Sequence, residues 1–408
     1  MNRRINILYL DQPLNNRGDE SAHRGIINWL NHNYPEAQID IVFWNEKNEN
    51  IREFIVESPQ NSYVNIQAYK GAHFALIKGI KNPVFWRLHP TTRQLIKLIK
   101  QSDFVICSPG GVNLGGFQGW EHMAQIKIAQ WLKRPTIYYG RSVGPFPTDT
   151  ESQRQFLKLS KELLKQFTYL SVRDKVSSDT LSRLGISHSL TVDSAFLSDP
   201  DALLPPDIKN TIGDNYAVIV PNVLHWHYAF KKVSHESMLQ FYTGLLSRLK
   251  KDYPGTRFVM LPQTYNEITR ERKDYLFFKE IAEHMNDSDI IAMPETLGSD
   301  IQQTIIRGAK FLIGSRYHSV VFAINQSTPF VALSYEHKIA GLADILGLTD
   351  CYIPIDGKSF ASDTAIDNLI EQCISRVGII DVKVMEKARQ KAKTIAHEKI
   401  ADLKKIIM

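Results

Sequence analysis

Short apolar blocks alternate with longer amphipathic stretches along the whole 408-residue chain. A first block lies within residues 1–11, and others follow at 39–44, 104–107, 135–139, 169–172 and up to Thr191-Val192-Asp193. After a Pro- and Asp-rich stretch the pattern resumes at 216–220, 258–261, 290–293, 311–313 and 330–333. Blocks this short and continuous predict strands buried on both faces. The intervening stretches carry apolar residues at helical spacing, for example up to about Leu30, up to Leu132, and over 152–167 and 175–184. Strand and helix in alternation predict an α/β chain with a parallel sheet in each half.

The most informative stretch is Phe311-Leu312-Ile313-Gly314-Ser315-Arg316-Tyr317-His318, running through an apolar helix to Pro329-Phe330-Val331-Ala332-Leu333 and then Ser334-Tyr335-Glu336-His337-Lys338. It predicts strand, tight turn, helix, strand, loop, with Ser315 as helix cap. Arg316 and His318 fall in the first helical turn, where unpaired N–H groups and the helix dipole favour an anion. A guanidinium there matches phosphate or carboxylate oxygens, and a histidine adds a donor that can move a proton. The same residues are equally consistent with Arg316 paired to a carboxylate elsewhere and His318 satisfied by backbone.

Other predicted strand exits are polar too. Asn16-Arg17-Gly18-Asp19 opens the first helix, either as a site at the mouth of the sheet or as a tight turn with a capping Asp19. Ser108-Pro109-Gly110-Gly111-Val112-Asn113-Leu114-Gly115-Gly116 lets backbone converge on an anion or sugar, but its spacing is neither the ATPase phosphate loop nor the dinucleotide fingerprint. Gly140-Arg141-Ser142-Val143-Gly144-Pro145 and Arg173-Asp174 follow two further strands, so Gly110, Arg141 and Arg173 are expected on one rim. For Arg173-Asp174 the alternative is a local ion pair that also caps the next helix.

Residues 48–100 interleave aromatic and basic side chains without clear period. They are consistent with helices lining an acceptor site, with a membrane-surface contact, or with a peripheral helical pair of half-buried aromatics. With 43% hydrophobic and 23% charged residues the chain has a globular composition and a length suited to two domains. Its net charge of +6 lacks the Lys/Arg runs of a nucleic-acid binder. Cys107, Cys351 and Cys373 have no metal-ligand spacing and predict a reducing compartment, the cytoplasm. No run reaches transmembrane length, and His225-Trp226-His227 lacks a third ligand, so neither a metal nor a cofactor is expected. The Lys-rich C-terminus, with Met385, Ala388, Ala392, Ile395, Ile400 and Leu403 in phase, predicts a helix over 382–407 with one buried face.

Taken in order, Asn16-x-Gly18-Asp19, Pro109-Gly110-Gly111, Gly140-x-Ser142-Val143-Gly144-Pro145, Ser171-Val172-Arg173-Asp174, Val192-Asp193, Gly314-Ser315-Arg316-Tyr317-His318 and Lys338 resemble the polysaccharide pyruvyltransferase family. The resemblance spans about residues 6–348. The chain departs from the family pattern at Asp11-Gln12-Pro13-Leu14, where a glycine-rich approach is usual. The resemblance implies two Rossmann-like domains facing across a cleft, of the GT-B kind, with a crossing C-terminal helix. The corresponding boundaries are an acceptor-side domain over 1–197, a linker over 198–212, a donor-side domain over 213–378 and a helix over 379–408 that packs back on the first domain.

It further implies transfer of pyruvate from phosphoenolpyruvate to a sugar as a ketal, with phosphate released. The expected catalytic residues are His318, Arg316 and Arg173. Those expected to bind substrate are Tyr317, Ser315, Lys338, Gly110, Gly111, Asn113, Arg141 and Asp19. The expected acceptor is a sugar or lipid-linked oligosaccharide of a cell-surface glycan, with no nucleic acid partner and with peripheral contact at the inner membrane face left open. A nucleotide-sugar glycosyltransferase, or a silent anion-binding protein on the same fold, are the competing readings.

Overall fold

The structure is a computed structural model that describes residues 4–10, 16–45, 56–67, 69–111, 113–224, 227, 230–264 and 274–407. It divides into two compact units. The first comprises Met1–Leu14, Asp19–Ser198 and Thr394–Met408, and the second Asn15–Gly18 and Asp199–Lys393.

The first unit is built on β1 (Asn6–Leu10), β2 (Gln38–Asn45), β3 (Asn61–Gln67), β4 (Phe104–Cys107), β5 (Thr136–Arg141), β6 (Tyr169–Val172) and β7 (Ser189–Leu190). They form one sheet in the order β3-β2-β1-β4-β5-β6-β7, every pair parallel. Ile7 pairs with Ile39 on one side and Phe104 on the other, so the strand order reverses between β1 and β4. Helices cover both faces, which is why the central strands are continuously apolar rather than alternating. Trp86, Leu95, Ile99 and Ile128 fill one layer, and Met123, Phe156, Leu163 and Leu181 another.

The second unit repeats the plan with β8 (Tyr216–Val220), β9 (Arg257–Met260), β10 (Ile290–Ala292), β11 (Leu312–Gly314), β12 (Phe330–Ser334) and β13 (Tyr352–Pro354). The sheet order is β10-β9-β8-β11-β12-β13, again all parallel. Its reversal falls between β8 and β11. Phe230, Phe241, Phe258, Phe277 and Phe360 dominate the core beneath it. In open sheets of this kind ligands settle outside the strand C-termini at the reversal point, and β11 feeds directly into the helix Tyr317–Asn325 there.

Several elements differ from the sequence reading. Within 48–100 the described residues form β3 and the helices Ala72–Lys81, Val84–Leu88 and Pro90–Gln101. β3 is an edge strand, half-buried along most of its length, so its sequence shows no alternation. β13 and the helix Asp363–Val377 are additions to the elements foreseen. The stretch read as a linker is counted with the second unit from Asp199 onward and carries the helix Pro206–Ile212, begun by Pro205-Pro206. The C-terminal helix runs from Val382 to Ala401, with a separate turn at Lys404–Ile407. Its Met385, Ala388, Ala392, Ile400 and Leu403 are buried as expected, and Ile395 is half-buried. In the second unit its Arg389 and Lys393 reach Asp199 at 2.5 and 2.7 Å, and in the first unit Ala396 and Lys399 carbonyls accept from Tyr139 and Tyr169 hydroxyls. Asp11–Leu14 and His225-Trp226 lie outside the described residues.

Candidate functional site

In the second unit the chain leaves β11 through Gly314, where a Cβ would fall 2.3 Å from Ser319 Oγ and would displace that hydroxyl from its hydrogen bond to the Arg316 carbonyl. Ser315 is not the helix cap. Arg316 holds that position with extended backbone and no capping side-chain bond, while the Ser315 and Tyr242 hydroxyls share a 2.8 Å hydrogen bond. Burial pushes Tyr242 up to about 12, so its hydroxyl keeps its proton, and it also accepts from the Asn222 N–H at 3.0 Å. The exits of β8 and β11 are thereby tied together across the sheet reversal.

Arg316 forms an ion pair with Asp274, and its Nη2 donates to Thr264 Oγ1 at 3.3 Å. Asp274 also accepts the Gln263 and Thr264 N–H groups at 2.9 Å each, so one carboxylate fixes both the guanidinium and the β9 exit turn. The reading of Arg316 as paired with a distant carboxylate is therefore correct in part. Its buried Nε–H, however, has no acceptor among the described residues, and neither does the buried Gln263 amide nitrogen. Both are buried donors beside the sheet reversal, and a buried donor without a partner costs about 1–3 kcal/mol.

His318 is the second residue of the same helix and is buried. Tyr317 meets its ring edge-on at 5.1 Å. Gly18 covers the ring: a Cβ on Gly18 would lie 1.8 Å from His318 Cγ. The segment carrying Gly18 belongs to the second unit, where Asn16 bridges to Thr264, the Arg17 N–H donates to Gln263 O at 2.9 Å, and Arg17 Nη2 donates to Glu295 O at 2.8 Å. At the β12 exit Lys338 Nζ lies 2.7 Å from Glu336 Oε2, and His227 Nε2 lies 3.4 Å from Glu336 Oε1. Burial alone would raise the Glu336 carboxyl, but the His227 hydrogen bond and the Lys338 charge hold it down at about 2. Arg17, Asp274 and Glu336 thus join the candidate site without a role assigned from the sequence, while Gln263 stands in Pro262-Gln263-Thr264, a stretch the sequence places at a polar strand exit. Arg17 and Glu336 stood inside quoted motifs, whereas Asp274 carried no local signal.

In the first unit the β4 exit forms the glycine-rich loop. Arg141, buried at the end of β5, donates to Ser108 O and, at 3.4 Å, to Gly111 O, with its guanidinium 5.6 Å from the Tyr138 ring centre. It holds the loop from beneath. Gly110 is buried, and Gly111 faces open space where an added Cβ would meet nothing. The Asn113 N–H donates to Gly111 O, and its carbonyl accepts from Gly119 N–H at 2.8 Å, closing the loop on itself. Gly144 N–H donates to Leu114 O at 2.8 Å, joining this loop to the β5 exit.

Arg173, at the β6 exit, is 2% exposed. It pairs with Asp193, and its Nε donates to Ser142 Oγ at 3.3 Å. Asp174 caps the helix Lys175–Arg183 by accepting from Ser177 N–H at 2.8 Å, and takes a further bond from Ser142 Oγ at 2.7 Å. Asp19, in the first turn of the helix Arg17–Asn33, is buried and near the Tyr9 hydroxyl. The structure therefore gathers Ser315, Arg316, Tyr317, His318 and Lys338 on the second unit's exits. Gly110, Gly111, Asn113, Arg141, Arg173 and Asp19 belong to the first.

Among the described residues no three His, Cys, Asp or Glu side chains are grouped to hold a metal ion, and no helix is long and apolar enough to cross a membrane.

A family model described as polysaccharide pyruvyl transferase matches residues 16–337. The amylovoran biosynthesis protein AmsJ of Erwinia amylovora is 25% identical over 393 residues, covering 88% of this chain and 92% of the relative. Among solved structures, a putative UDP-N-acetylglucosamine 2-epimerase from Listeria monocytogenes superposes with a TM-score of 0.61 at 11% identity, covering 98% of this chain and 95% of the other. The α,α-trehalose 6-phosphate synthase of Burkholderia multivorans gives 0.52 at 10% identity, covering 99% and 98%. At such identities the likeness carries the fold alone, an α/β fold of the GT-B kind with two parallel sheets.

Proposed function

The chain belongs to the polysaccharide pyruvyl transferase family, and we propose that it transfers pyruvate from phosphoenolpyruvate to a sugar of an exopolysaccharide or its precursor, forming a ketal and releasing phosphate. The observation that carries this reading is the buried Arg316 Nε–H, left open beside His318 at the start of a helix on the sheet reversal. A donor with a phosphate and a carboxylate suits that seat, since the Asp274 pair fixes the guanidinium and the helix N-terminus adds N–H groups. The relative named for amylovoran biosynthesis supports a polysaccharide acceptor.

In the proposed reaction His318 protonates C3 of the enol, so positive charge develops at C2, and a sugar hydroxyl adds there while its proton passes back to His318. The C2–O bond to phosphate then breaks, the phosphate leaves toward Arg316, and a second sugar hydroxyl adds to C2 to close the ketal, its proton passing to the departing phosphate. Arg316, Tyr317, Ser315 and Lys338 hold the donor. Gly110, Gly111, Asn113 and Asp19 serve the acceptor, with Arg141 supporting their loop. Arg173, enclosed with Asp193, acts as a positioning residue of the first unit's rim.

Thermal melting tests the reading. Phosphoenolpyruvate at a hundredfold excess over its Kd should stabilise the chain by about 2.7 kcal/mol and raise Tm, whereas UDP-N-acetylglucosamine should leave Tm unchanged. A shift with the nucleotide sugar alone would overturn the assignment.

A further inference from the structure

From Ser58 to Ser102 the chain contains no Asp or Glu and seven Lys or Arg residues, every one of them exposed. Within this stretch the helices Ala72–Lys81 and Val84–Leu88 form a hairpin whose inner faces meet where Trp86 lies against Gly79: a Cβ there would sit 2.0 Å from the indole, and the indole N–H donates to Leu76 O at 3.0 Å. That contact anchors the hairpin and turns large apolar side chains outward. Tyr69, Phe74, Val84 and Leu88 are 59%, 57%, 57% and 65% exposed. All four lie on this hairpin or directly before it. Phe74 meets Phe85 edge-on at 6.4 Å, and His89 Nε2 lies 3.3 Å from Lys70 O, which brings the start of the first helix beside the end of the second.

Basic groups accompany these apolar side chains. Lys78 Nζ lies 5.6 Å above the Phe74 ring, and Lys70, Lys81 and Arg87 are exposed on the same hairpin. The acidic group seen against it is Glu121, 2.8 Å from His73.

We propose that this hairpin docks the protein on the surface of an anionic phospholipid bilayer, with Phe74, Val84 and Leu88 entering the headgroup boundary and the surrounding lysines and arginines meeting lipid phosphates. The argument is charge complementarity combined with apolar exposure. Scattered exposed apolar residues are ordinary, but several large ones on one hairpin whose own residues are basic and include no carboxylate have the composition of an interfacial element. It is independent of the reaction assigned above.

Co-flotation of the full chain with vesicles tests it. Binding to vesicles of equal phosphatidylcholine and phosphatidylglycerol should be about tenfold stronger than to phosphatidylcholine alone, and should weaken at high salt. Phe74→Ser with Leu88→Ser should lower it about tenfold at unchanged charge, and Lys78→Gln with Lys81→Gln should lower it on anionic vesicles alone, each with an unchanged circular dichroism spectrum. Absence of binding, equal binding to both vesicle types, or binding that survives both double variants would overturn the proposal. So would a sedimenting dimer that the Phe74 and Leu88 substitutions dissociate, which would assign the hairpin to a second copy of the chain.

Discussion

Gly18 lies so close to the imidazole of His318 that a single methyl group on its Cα would occupy the ring, 1.8 Å from Cγ. The two residues are 300 positions apart, yet the absence of a side chain on one sets the place of the other. Gly18→Ala should therefore displace the ring and lower kcat by about 10²-fold, although alanine is the better helix former by about 1 kcal/mol. The coupling is testable by a double-mutant cycle: once His318→Ala has removed the ring, Gly18→Ala should cost no further activity and should no longer cost stability. Additive losses would show that the contact is not what places the imidazole.

His318 itself separates binding from proton transfer. His318→Gln keeps a hydrogen-bonding group but removes the titratable one, so calorimetry should find phosphoenolpyruvate affinity nearly unchanged while kcat for phosphate release falls by about 10²–10⁴-fold. Retained turnover in His318→Gln would reduce the residue to a phosphate partner.

Arg316 is held by Asp274 and Thr264 and has one buried donor left. Arg316→Lys cannot reproduce the planar fork, and donor affinity should fall about 10–100-fold. Asp274→Asn leaves the guanidinium buried without its counter-charge and should lower the unfolding free energy by about 3–5 kcal/mol in denaturant titrations. A stable Asp274→Asn protein with intact donor affinity would place the fixing of Arg316 elsewhere.

The Arg173–Asp193 pair makes a contrasting case, since both side chains are almost fully enclosed. Arg173→Met should cost about 3–5 kcal/mol, and combining it with Asp193→Leu should recover part of that loss. If Arg173→Met instead kept full stability and lost donor affinity, the residue would contact donor directly.

Glu336 gives a pH signature. Its folded pKa, about 2, lies below the ordinary value of 4.5 because the His227 hydrogen bond and Lys338 outweigh the burial that would raise it. The sign follows from proton uptake: the unfolded chain binds this proton first, so the stabilisation is complete above about pH 4.5 and vanishes as pH falls toward 2, amounting to about 3 kcal/mol. Denaturation of wild type and Glu336→Gln between pH 2 and 6 should give a difference that shrinks on acidification. A constant difference would separate the residue's contribution from its charge.

The parallel sheets were legible because their central strands are uninterrupted apolar blocks, such as Ile7-Leu8-Tyr9-Leu10 and Leu312-Ile313-Gly314. Arg316 and His318 were legible because helix geometry fixes their position from the strand end alone. β3 was not, since an edge strand half-buried along most of its length leaves no period to read. Asp274 and Asp193 stand 42 and 20 residues from the arginines they pair with, and pairing over such distances is decided by the fold. Residues 72–88 were obscure for another reason: their exposed Phe74, Val84 and Leu88 blur the amphipathic pattern by which a helix is recognised.

The short run Asn16-Arg17-Gly18 has a bearing on how this protein can be dissected or inherited. It stands about 180 residues upstream of the rest of the second unit but furnishes a wall of it, supplying the backbone against Thr264 and Gln263 and the cover over His318. A fragment cut at the boundary before Asp199 would keep its sheet and lose that wall, and a chimaera joining this second half to a foreign first half would inherit whichever residue the donor gene carries at the position of Gly18. Recombination between relatives is thus constrained at two distant places at once, and exchange of the downstream half as an independent cassette is tolerated only where the upstream partner brings glycine with it.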